Sequence, residues 1–160
     1  MNLRVKIKRV KDVEVPKYAK PGDAGFDLVA AEDMIIKPGK TKVIPTGLAF
    51  EIPPGFELQV RPRSGISRKT HLRAILGTVD SGFRGEVCVI VQNTSCLGNS
   101  IKQGVDEEYG IYASVTYAVK KGDRIAQGVI APVETAHFVE ADELSDSERG
   151  SKGFGSTGTK

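Results

Sequence analysis

Five short stretches of this sequence combine residues that can bind phosphate and activate water. They are "GDAGFDL" at 22–28, "RPRSGIS" at 61–67, "GTVDSGFRGE" at 77–86, "GDRIAQ" at 122–127 and "RGSKGFGSTG" at 149–158. Phosphate oxygens accept hydrogen bonds from guanidinium groups and from backbone N–H groups that glycine lets approach closely. Mg²⁺ prefers carboxylate, water and phosphate oxygens. Together the stretches indicate a site for a phosphorylated substrate and Mg²⁺.

Taken singly, each stretch also has an ordinary structural explanation. Asp27 and Asp80 suit turns, and Gly65 suits a positive φ. The sequence contains neither a P-loop nor a dinucleotide-binding fingerprint, so the two common nucleotide-binding folds are not indicated. Phe154 stands alone in a tail of Gly, Ser, Thr and Lys that is too polar to build a core.

Length and charge exclude several classes of protein. The 160 residues suit one domain, and a net charge of +3 is too small to indicate duplex DNA binding. No run is apolar and long enough to span a bilayer, and "MNLRVKIKRV" alternates apolar and basic residues, unlike a signal peptide. We therefore expect a cytoplasmic protein without nucleic-acid or membrane partners. The two cysteines and two histidines match no zinc-ligand spacing.

The elements that must position these stretches are predicted to be β-strands. Apolar residues alternate, or form short runs, in six segments separated by Gly and Pro turn signals. The pattern predicts an all-β sandwich or barrel, with one short helix in "SGISRKTHL" for which Ser64 is the candidate cap. The six segments are "LRVKIKRV", "KVIPTGLAFEI", "FELQVR", "EVCVIVQ", "YGIYASVTYAV" and "RIAQGVIAPV".

Two regions depart from this regular pattern. From residue 140 the composition becomes acidic and then Gly-rich, which predicts a barrel over 1–139 and a flexible arm over 140–160. Between two strand-like runs, a polar excursion extends from Asn93 to Gly110. It is interpreted as a long hairpin loop, with a binding surface for a protein partner at 94–109 as the alternative.

In this order, the five stretches resemble the motifs of the homotrimeric dUTP pyrophosphatases, the dUTPases. The resemblance runs from about Lys20 to the last residue. It implies a distorted jelly-roll β-barrel and a homotrimer with a swapped C-terminal arm, in which each active site is built from all three subunits. It also implies Mg²⁺-assisted hydrolysis of dUTP to dUMP and pyrophosphate, which limits uracil incorporation into DNA and supplies dUMP for dTMP synthesis.

The resemblance assigns the chemistry to individual residues. Asp80 matches the general base, and Asp27 matches the carboxylate that meets the metal through water. Phe83 replaces the family's usual Tyr under the deoxyribose, and main-chain groups near Gly77 and Cys88 read uracil, whereas Ala74 stands where some relatives have Asn. The remaining matched positions are Arg63, Ser64, Gly65 and Gln127 for the phosphates, and Arg149, Phe154, Gly155, Ser156 and Thr157 for a lid that closes over the nucleotide.

Two further readings compete with the dUTPase reading. A dCTP deaminase or bifunctional enzyme shares the barrel, but it would use a catalytic Glu in the third motif, where Glu86 is interpreted as structural. The other is a protein-interaction module in which nucleotide occupancy controls partner binding at 94–109. Asp80 stands where the hydrolase needs it and favours the first reading.

Overall fold

The computed structural model describes residues 3–95 and 114–151. These residues form ten β-strands and one short helix, so the all-β prediction is confirmed. In chain order the elements are β1 (Lys6–Arg9), β2 (Phe26–Val29), β3 (Met34–Ile36), β4 (Thr41–Glu51), β5 (Phe56–Arg61), α1 (Ser64–Lys69), β6 (Leu72–Ala74), β7 (Gly77–Val79), β8 (Glu86–Asn93), β9 (Tyr117–Val119) and β10 (Arg124–Pro132).

The strands build a distorted jelly-roll β-barrel from antiparallel pairs. One sheet has the order β1-β4-β8-β6, a second has the order β2-β10-β5-β7, and β3 pairs with β9. Buried apolar side chains from both large sheets form one core, in which Leu28, Ile44, Leu58 and Val89 are completely buried. Sequence-distant strands meet throughout, so the core fixes the relative positions of loops far apart in the chain.

Alternation predicted the long strands well and the short ones poorly. In β8 buried and less buried residues alternate, as expected for a strand with one face in the core. The short strands β2, β3, β6 and β7 were not predicted, because each has only three or four residues. Two of them, β2 and β7, lie inside the stretches singled out for chemistry.

The predicted helix is present, but its cap prediction was wrong by one residue. Helix α1 begins at Ser64, and Arg63 occupies the N-cap position with extended backbone angles and no capping hydrogen bond from its side chain. The N–H groups of Ile66 and Ser67 both donate to the Arg63 carbonyl. Ser64 is therefore the first residue of the helix, and its hydroxyl is not used as a cap.

A bulge in β4 ties three strands together. The pairing of β4 with β8 shifts between Pro45 and Ala49. Inside the bulge, the buried Thr46 hydroxyl donates to the Val87 carbonyl at 2.6 Å, and the Gly47 N–H donates to Glu86 Oε1 at 2.7 Å. The Gly47 carbonyl accepts the Val10 N–H at 2.8 Å. Glu86, at the end of the third motif, is thus anchored to the opposite strand.

The chain leaves the barrel after β10. Every residue from Pro132 to Ser151 is exposed, and Phe138 and Leu144 are each 91% exposed although both are apolar. The arm boundary predicted at residue 140 stays a prediction, whereas the last strand ends at Pro132. Within the described ranges, the only helix is far too short to cross a bilayer, and no membrane-spanning helix is found.

Gly47→Ala should destabilise the fold more than Gly55→Ala. Both glycines have positive φ, +73° and +82°, so both substitutions carry backbone strain. A Cβ on Gly47 would also lie 2.8 Å from Val13 Cγ2, whereas one on Gly55 meets nothing within 4 Å. We expect a loss of roughly 1–2 kcal/mol in unfolding free energy for Gly55→Ala and about 1–3 kcal/mol more for Gly47→Ala, measured by urea unfolding. Equal losses would contradict the close packing of Val13 on Gly47.

Candidate active site

A polar cavity of about 360 Å³ lies where β2, β10 and the start of α1 meet. Residues from the first, second and fourth motifs line it together, because β10 pairs with β2 on one side and β5 on the other. Gln127 is aligned with Asp27 across one pairing and with Arg61 across the other. The lining residues are Lys17, Ala19, Asp23, Ala24, Gly25, Asp27, Arg63, Ser64, Gly65, Arg124 and Gln127.

Asp27 forms the electrostatic centre of this cavity. Its Oδ1 lies 2.8 Å from Arg63 Nε, and its Oδ2 lies 3.4 Å from Arg124 Nε. All three side chains remain partly exposed, at 32% for Asp27, 29% for Arg63 and 64% for Arg124. Asp27 thus pairs with two guanidinium groups. The three side chains together keep one net positive charge, which can attract an anion.

Gln127 holds the turn that precedes α1. Its Nε2 donates to the Pro62 carbonyl at 2.9 Å. Gly25 makes room for this side chain, since a Cβ there would lie 2.9 Å from Gln127 Oε1. Ser64 and Gly65 follow directly and open α1, where the first N–H groups have no partner within a helix. The second motif therefore presents a hydroxyl, N–H groups and a guanidinium to one cavity.

The third motif forms a separate turn after β7. Asp80 is exposed, and its carbonyl accepts the Phe83 N–H at 3.0 Å. Arg84 Nη1 donates to the carbonyls of Ser81 and Phe83 at 2.5 and 2.9 Å. The Phe83 ring, 46% exposed, lies over Gly85, where a Cβ would come within 2.6 Å of the ring. The turn presents a carboxylate and an aromatic face to the outside.

The residues flanking this turn are held by the barrel. Gly77 lies in β7 opposite Val60, and Cys88 lies in β8 opposite Pro45. Glu86 accepts the Gly47 N–H and lies 3.7 Å from Lys11 Nζ, which also contacts Glu32 at 3.0 Å. Burial, with a smaller contribution from Glu86, raises the pKa of the Cys88 thiol.

The two groups of motif residues lie at opposite ends of β5. Val79 is aligned with Leu58 in the pairing of β7 with β5, whereas Gln127 is aligned with Arg61. Asp80 follows Val79 and so lies toward the Phe56 end of β5, whereas Arg63 follows β5 beyond its Arg61 end. At about 3.3 Å per strand residue, they are roughly 15–20 Å apart. A single chain therefore does not bring the carboxylate of Asp80 to the cavity that holds Arg63.

The described side chains around the cavity do not form a complete metal-binding site. Among residues 3–95 and 114–151, no group of three or more His, Cys, Asp or Glu side chains is placed to hold an ion. Asp23 caps a turn by accepting the Lys20 N–H at 2.8 Å, and both oxygens of Asp27 face guanidinium groups. Mg²⁺ commonly keeps several waters and binds through one or two carboxylates plus substrate phosphates. These donors fit an ion that arrives with a polyphosphate, not one bound by protein ligands alone.

Sequence reasoning missed two cations of the cavity, Lys17 and Arg124. Arg124 belongs to the same motif as Gln127, so its place in the sequence could have indicated that it lies in the site. Lys17 lies before the first motif, in a segment without a strand pattern, and nothing in the sequence marked it. Arg149 is described and exposed. Phe154, Gly155, Ser156 and Thr157, and the excursion from residue 96 onward, lie outside the described residues.

Comparison with known proteins agrees with these motifs. The family model described as dUTPase matches residues 11–105 and 111–158. The chain belongs to the dUTPase family. The enzyme class predicted from the motifs, dUTP diphosphatase, is thereby confirmed. The chain is 44% identical to the deoxyuridine 5'-triphosphate nucleotidohydrolases of Nautilia profundicola and Thermobifida fusca, covering 98% of this chain and 99% and 79% of theirs.

Solved structures of phage dUTPases share the fold. The Staphylococcus bacteriophage 80alpha dUTPase with dUpNHpp is 33% identical, with a TM-score of 0.83 over 97% of this chain and 98% of that one. It belongs to the phage dUTPases described as controlling transfer of virulence genes. A mutant dUTPase of S. aureus phage phi11 is 29% identical, with a TM-score of 0.77 over 89% of this chain and 99% of that one, and coordinates a structural Mg(II) ion.

Gly85→Ala should displace the Phe83 ring, and Gly82→Ala is the matched control in the same turn. A Cβ on Gly85 would lie 2.6 Å from the ring, whereas one on Gly82 meets nothing within 4 Å, and neither glycine has positive φ. We expect kcat/KM for dUTP to fall roughly 10- to 100-fold for Gly85→Ala, with weaker discrimination against UTP. Gly82→Ala should stay close to the unsubstituted enzyme. Equal effects of the two substitutions would show that ring position does not matter.

The Cys88 thiol should react at higher pH in the folded protein than in the unfolded chain. Because its pKa is raised, chiefly by burial, the unreactive protonated thiol persists to higher pH. The measurement is the pH profile of iodoacetamide labelling at this residue, followed by peptide mass spectrometry, in buffer and in guanidinium chloride. Steric protection alone would slow labelling without moving the midpoint. Identical midpoints in the two conditions would contradict the raised pKa.

Proposed function

We propose that this enzyme hydrolyses dUTP to dUMP and pyrophosphate, with Asp80 as the base and the cavity around Arg63 as the phosphate site. The observation that carries this proposal is the presence of all five motifs in a chain that matches the dUTPase family model almost throughout. In a cell, the reaction lowers dUTP, limits uracil incorporation into DNA and supplies dUMP for dTMP synthesis.

The proposed step is an attack by water on the α-phosphorus. Asp80 orients the water and accepts its proton, the oxygen of the water bonds to the α-phosphorus, and the bond from that phosphorus to the bridging oxygen breaks. Pyrophosphate leaves with the bond electrons, and dUMP retains the new oxygen. The exposed position of Asp80 on a hydrogen-bonded turn supports this role, since its carboxylate is accessible to a substrate bound by another copy of the chain. A positioned base typically contributes about 10²–10⁴-fold.

Substrate selection is assigned to the third motif. The Phe83 ring lies under the deoxyribose and leaves no space for a ribose 2′-hydroxyl, while backbone groups near Gly77 and Cys88 hydrogen-bond uracil. The packing of the ring on Gly85 supports a fixed steric barrier. Ala74 is buried and supplies no polar side chain for the base. Discrimination by a ring is steric and does not need the phenol that Tyr would add.

Phosphate binding is assigned to Arg63, Ser64, Gly65 and Gln127. These four residues line one cavity, which supports the assignment. The side chains of Asp27, Arg63 and Arg124 in that cavity also carry one net positive charge together. The lid residues Arg149, Phe154, Gly155, Ser156 and Thr157 are proposed to close over the uracil ring and the γ-phosphate. Closure would keep out water other than the nucleophile.

Mg²⁺ is proposed to enter with the triphosphate. When bound, it neutralises part of the phosphate charge and aligns the α-phosphorus for attack. The donors around the cavity suit an ion that brings phosphate oxygens and water as most of its ligands. The contact of Asp27 with this ion through water stays a prediction.

A homotrimer with shared sites is proposed as the working assembly. The separation of Asp80 from Arg63 along β5 supports it, because a complete site then needs more than one copy. The exposed apolar residues of the C-terminal segment also support an arm that packs on a neighbour. An apolar groove of about 240 Å³ beside the unpaired edge of β1 suits such packing, and is lined by Leu3, Val5, Ile7, Pro16, Tyr18, Phe26, Phe50 and Ile130.

The deaminase alternative needs a free catalytic Glu in the third motif. Glu86 is the candidate, and its carboxylate already accepts the Gly47 N–H and faces Lys11. These contacts favour a structural role for Glu86 and support hydrolysis. Release of ammonia from dCTP would revive the alternative.

Binding of a protein partner at residues 94–109 stays a prediction. Hydrogen bonds hold the neck of the excursion: Asn93 is buried, donates to the carbonyls of Ile36 and Val115 at 3.0 and 2.7 Å, and accepts from the Ser95 hydroxyl at 2.7 Å. Because these contacts hold the base of the excursion, we expect that the loop beyond Ser95 can be deleted without unfolding the barrel. Full dUTP turnover with loss of a captured partner would support the proposal; unchanged capture would contradict it.

The first assay measures pyrophosphate release from dUTP, dCTP, dTTP and UTP with Mg²⁺. We expect turnover of dUTP alone, a fall of about 10²–10⁴-fold for Asp80→Asn, and a smaller fall for Phe154→Ala. Thr78→Ala, an exposed position in β7, is the control for the Asp80 substitution. Absence of dUTP turnover by a confirmed trimer would overturn the proposed function.

Mixing two inactive variants tests the shared site. If Asp80 and Arg63 of one site come from different copies, refolding Asp80→Asn and Arg63→Gln chains together rebuilds complete sites. Random mixing in equal amounts should restore about a quarter of the activity of the unsubstituted enzyme in a cyclic assembly. Each variant refolded alone is the control. No recovery from a mixed assembly verified by mass would contradict a shared site.

A further inference from the structure

The third motif connects the two large sheets of the barrel. β7 pairs with β5 in one sheet, and β8 pairs with β4 in the other. The turn between them, residues 80–85, is therefore held by a different sheet at each end. At its far end the Phe83 ring lies over Gly85, and Glu86 follows as the first residue of β8. The position of the ring thus depends on how the start of β8 is held.

The side chain of Glu86 fastens the start of β8 to the bulge in β4. Regular pairing of these two strands is interrupted between Pro45 and Ala49. Across this interruption, Glu86 Oε1 accepts the Gly47 N–H at 2.7 Å. The Glu86 side chain is only 25% exposed, and a hydrogen bond to a charged acceptor is stronger than one between neutral groups. A side chain therefore supplies a contact between the strands where their regular pairing is missing.

Lys11, in the N-terminal segment, holds Glu86 in turn. Its Nζ lies 3.7 Å from Glu86 Oε1 and 3.0 Å from Glu32 Oε2. The backbone N–H groups of Val10 and Lys11 donate to the Gly47 carbonyl at 2.8 and 3.4 Å. The N–H of Gly47 thus faces Glu86, and its carbonyl faces the segment that carries Lys11. Lys11 meets the anchor of β8 with both its backbone and its side chain.

The charges of Lys11, Glu32 and Glu86 also act on the thiol of Cys88. Burial is the main cause of the raised pKa of this thiol, Glu86 and Glu32 raise that pKa further, and Lys11 lowers it. All three charges therefore lie close to the part of β8 whose backbone is proposed to bind uracil. The thiol can report whether their arrangement is intact.

We propose that Glu86 and Lys11 are positioning residues for substrate selection, which hold the Phe83 ring where it excludes a ribose 2′-hydroxyl. The inference rests on the proposed function, since it concerns the same reaction. Glu86 acts on the ring through Gly85 and the start of β8, and Lys11 acts through Glu86. Lys11 lies before the first motif, so selection depends on a residue that none of the five motifs contains.

The test compares kcat/KM for dUTP with kcat/KM for UTP. The variants are Glu86→Ala, Glu86→Gln and Lys11→Gln, and the control is Lys8→Gln, which removes an exposed charge from the same N-terminal segment. We expect Glu86→Ala to lower the dUTP to UTP ratio roughly 10- to 100-fold, because the ring loses its anchor. Glu86→Gln should lower it only about 2- to 10-fold, since its amide oxygen can still accept the Gly47 N–H, and Lys11→Gln should match that loss. Lys8→Gln should leave the ratio unchanged.

The pKa of the Cys88 thiol, from the pH profile of iodoacetamide labelling at this residue, is the second measurement. Lys11→Gln should raise this pKa, because it removes a positive charge that lowers it. Glu86→Gln should lower the pKa, because it removes a negative charge that raises it. Shifts of opposite sign support the proposed arrangement in a folded protein, since unfolding would expose the thiol and lower its pKa in both variants. Shifts of the same sign would contradict the arrangement.

The outcomes separate the positioning role from the function on which it rests. Opposite thiol shifts with an unchanged dUTP to UTP ratio in all three variants would overturn the positioning role, because the charges then have no effect on selection. An equal fall of the ratio in Lys8→Gln would overturn the specific role of Lys11. If urea unfolding and size-exclusion profiles show that Glu86→Ala does not fold or assemble, the two Gln variants decide in the same way. Failure of the unsubstituted enzyme to hydrolyse dUTP would overturn the proposed function, and this inference with it.

Discussion

The pairing of β5 between β7 and β10 is the constraint on which the site depends. Hydrogen bonding to β10 brings Arg61 level with Gln127, and the chain then turns directly into the second motif. Hydrogen bonding to β7 brings Val79 level with Leu58, so that the chain after Val79 continues toward the Phe56 end of the same strand. Because the register is fixed by a buried face, neither end can slip without moving Leu58 and Val60 out of the core. The distance between Asp80 and Arg63 is thus a property of the sheet.

Each half of the site is made rigid by a different means. In the cavity proposed to bind phosphate, charges hold the side chains: Asp27 lies between two guanidinium groups, and Gln127 donates to the Pro62 carbonyl. The half that carries Asp80 relies on backbone geometry, with a tight turn closed by Phe83 and anchored to β4 through Glu86. Groups held in advance of binding lose little entropy when substrate arrives, and such preorganisation is the main contribution a protein makes to phosphoryl transfer.

The sequence was enough to predict the family, the all-β class and most long strands, because five spaced motifs and period-two alternation are local signals. Short strands such as β2 and β7 escaped because three or four residues carry too little pattern. The N-cap was misplaced because Arg63 adopts the extended conformation usually expected of a capping Ser. The contact of Arg124 with Asp27 joins residues almost a hundred positions apart and depends on the bulge in the pairing of β10 with β2. The residue pattern within either motif does not predict the register in which β10 pairs with β2.

The separation along β5 has a consequence for how activity scales with enzyme concentration. If each site contains residues from more than one chain, an isolated chain carries all these residues but cannot form a complete site. The activity per chain then depends on the fraction of chains that is assembled. Dilution below the dissociation constant of the assembly would then switch the enzyme off by mass action, although every chain keeps its barrel. In a cell, synthesis and degradation of the chain would control turnover more steeply than in proportion to its amount.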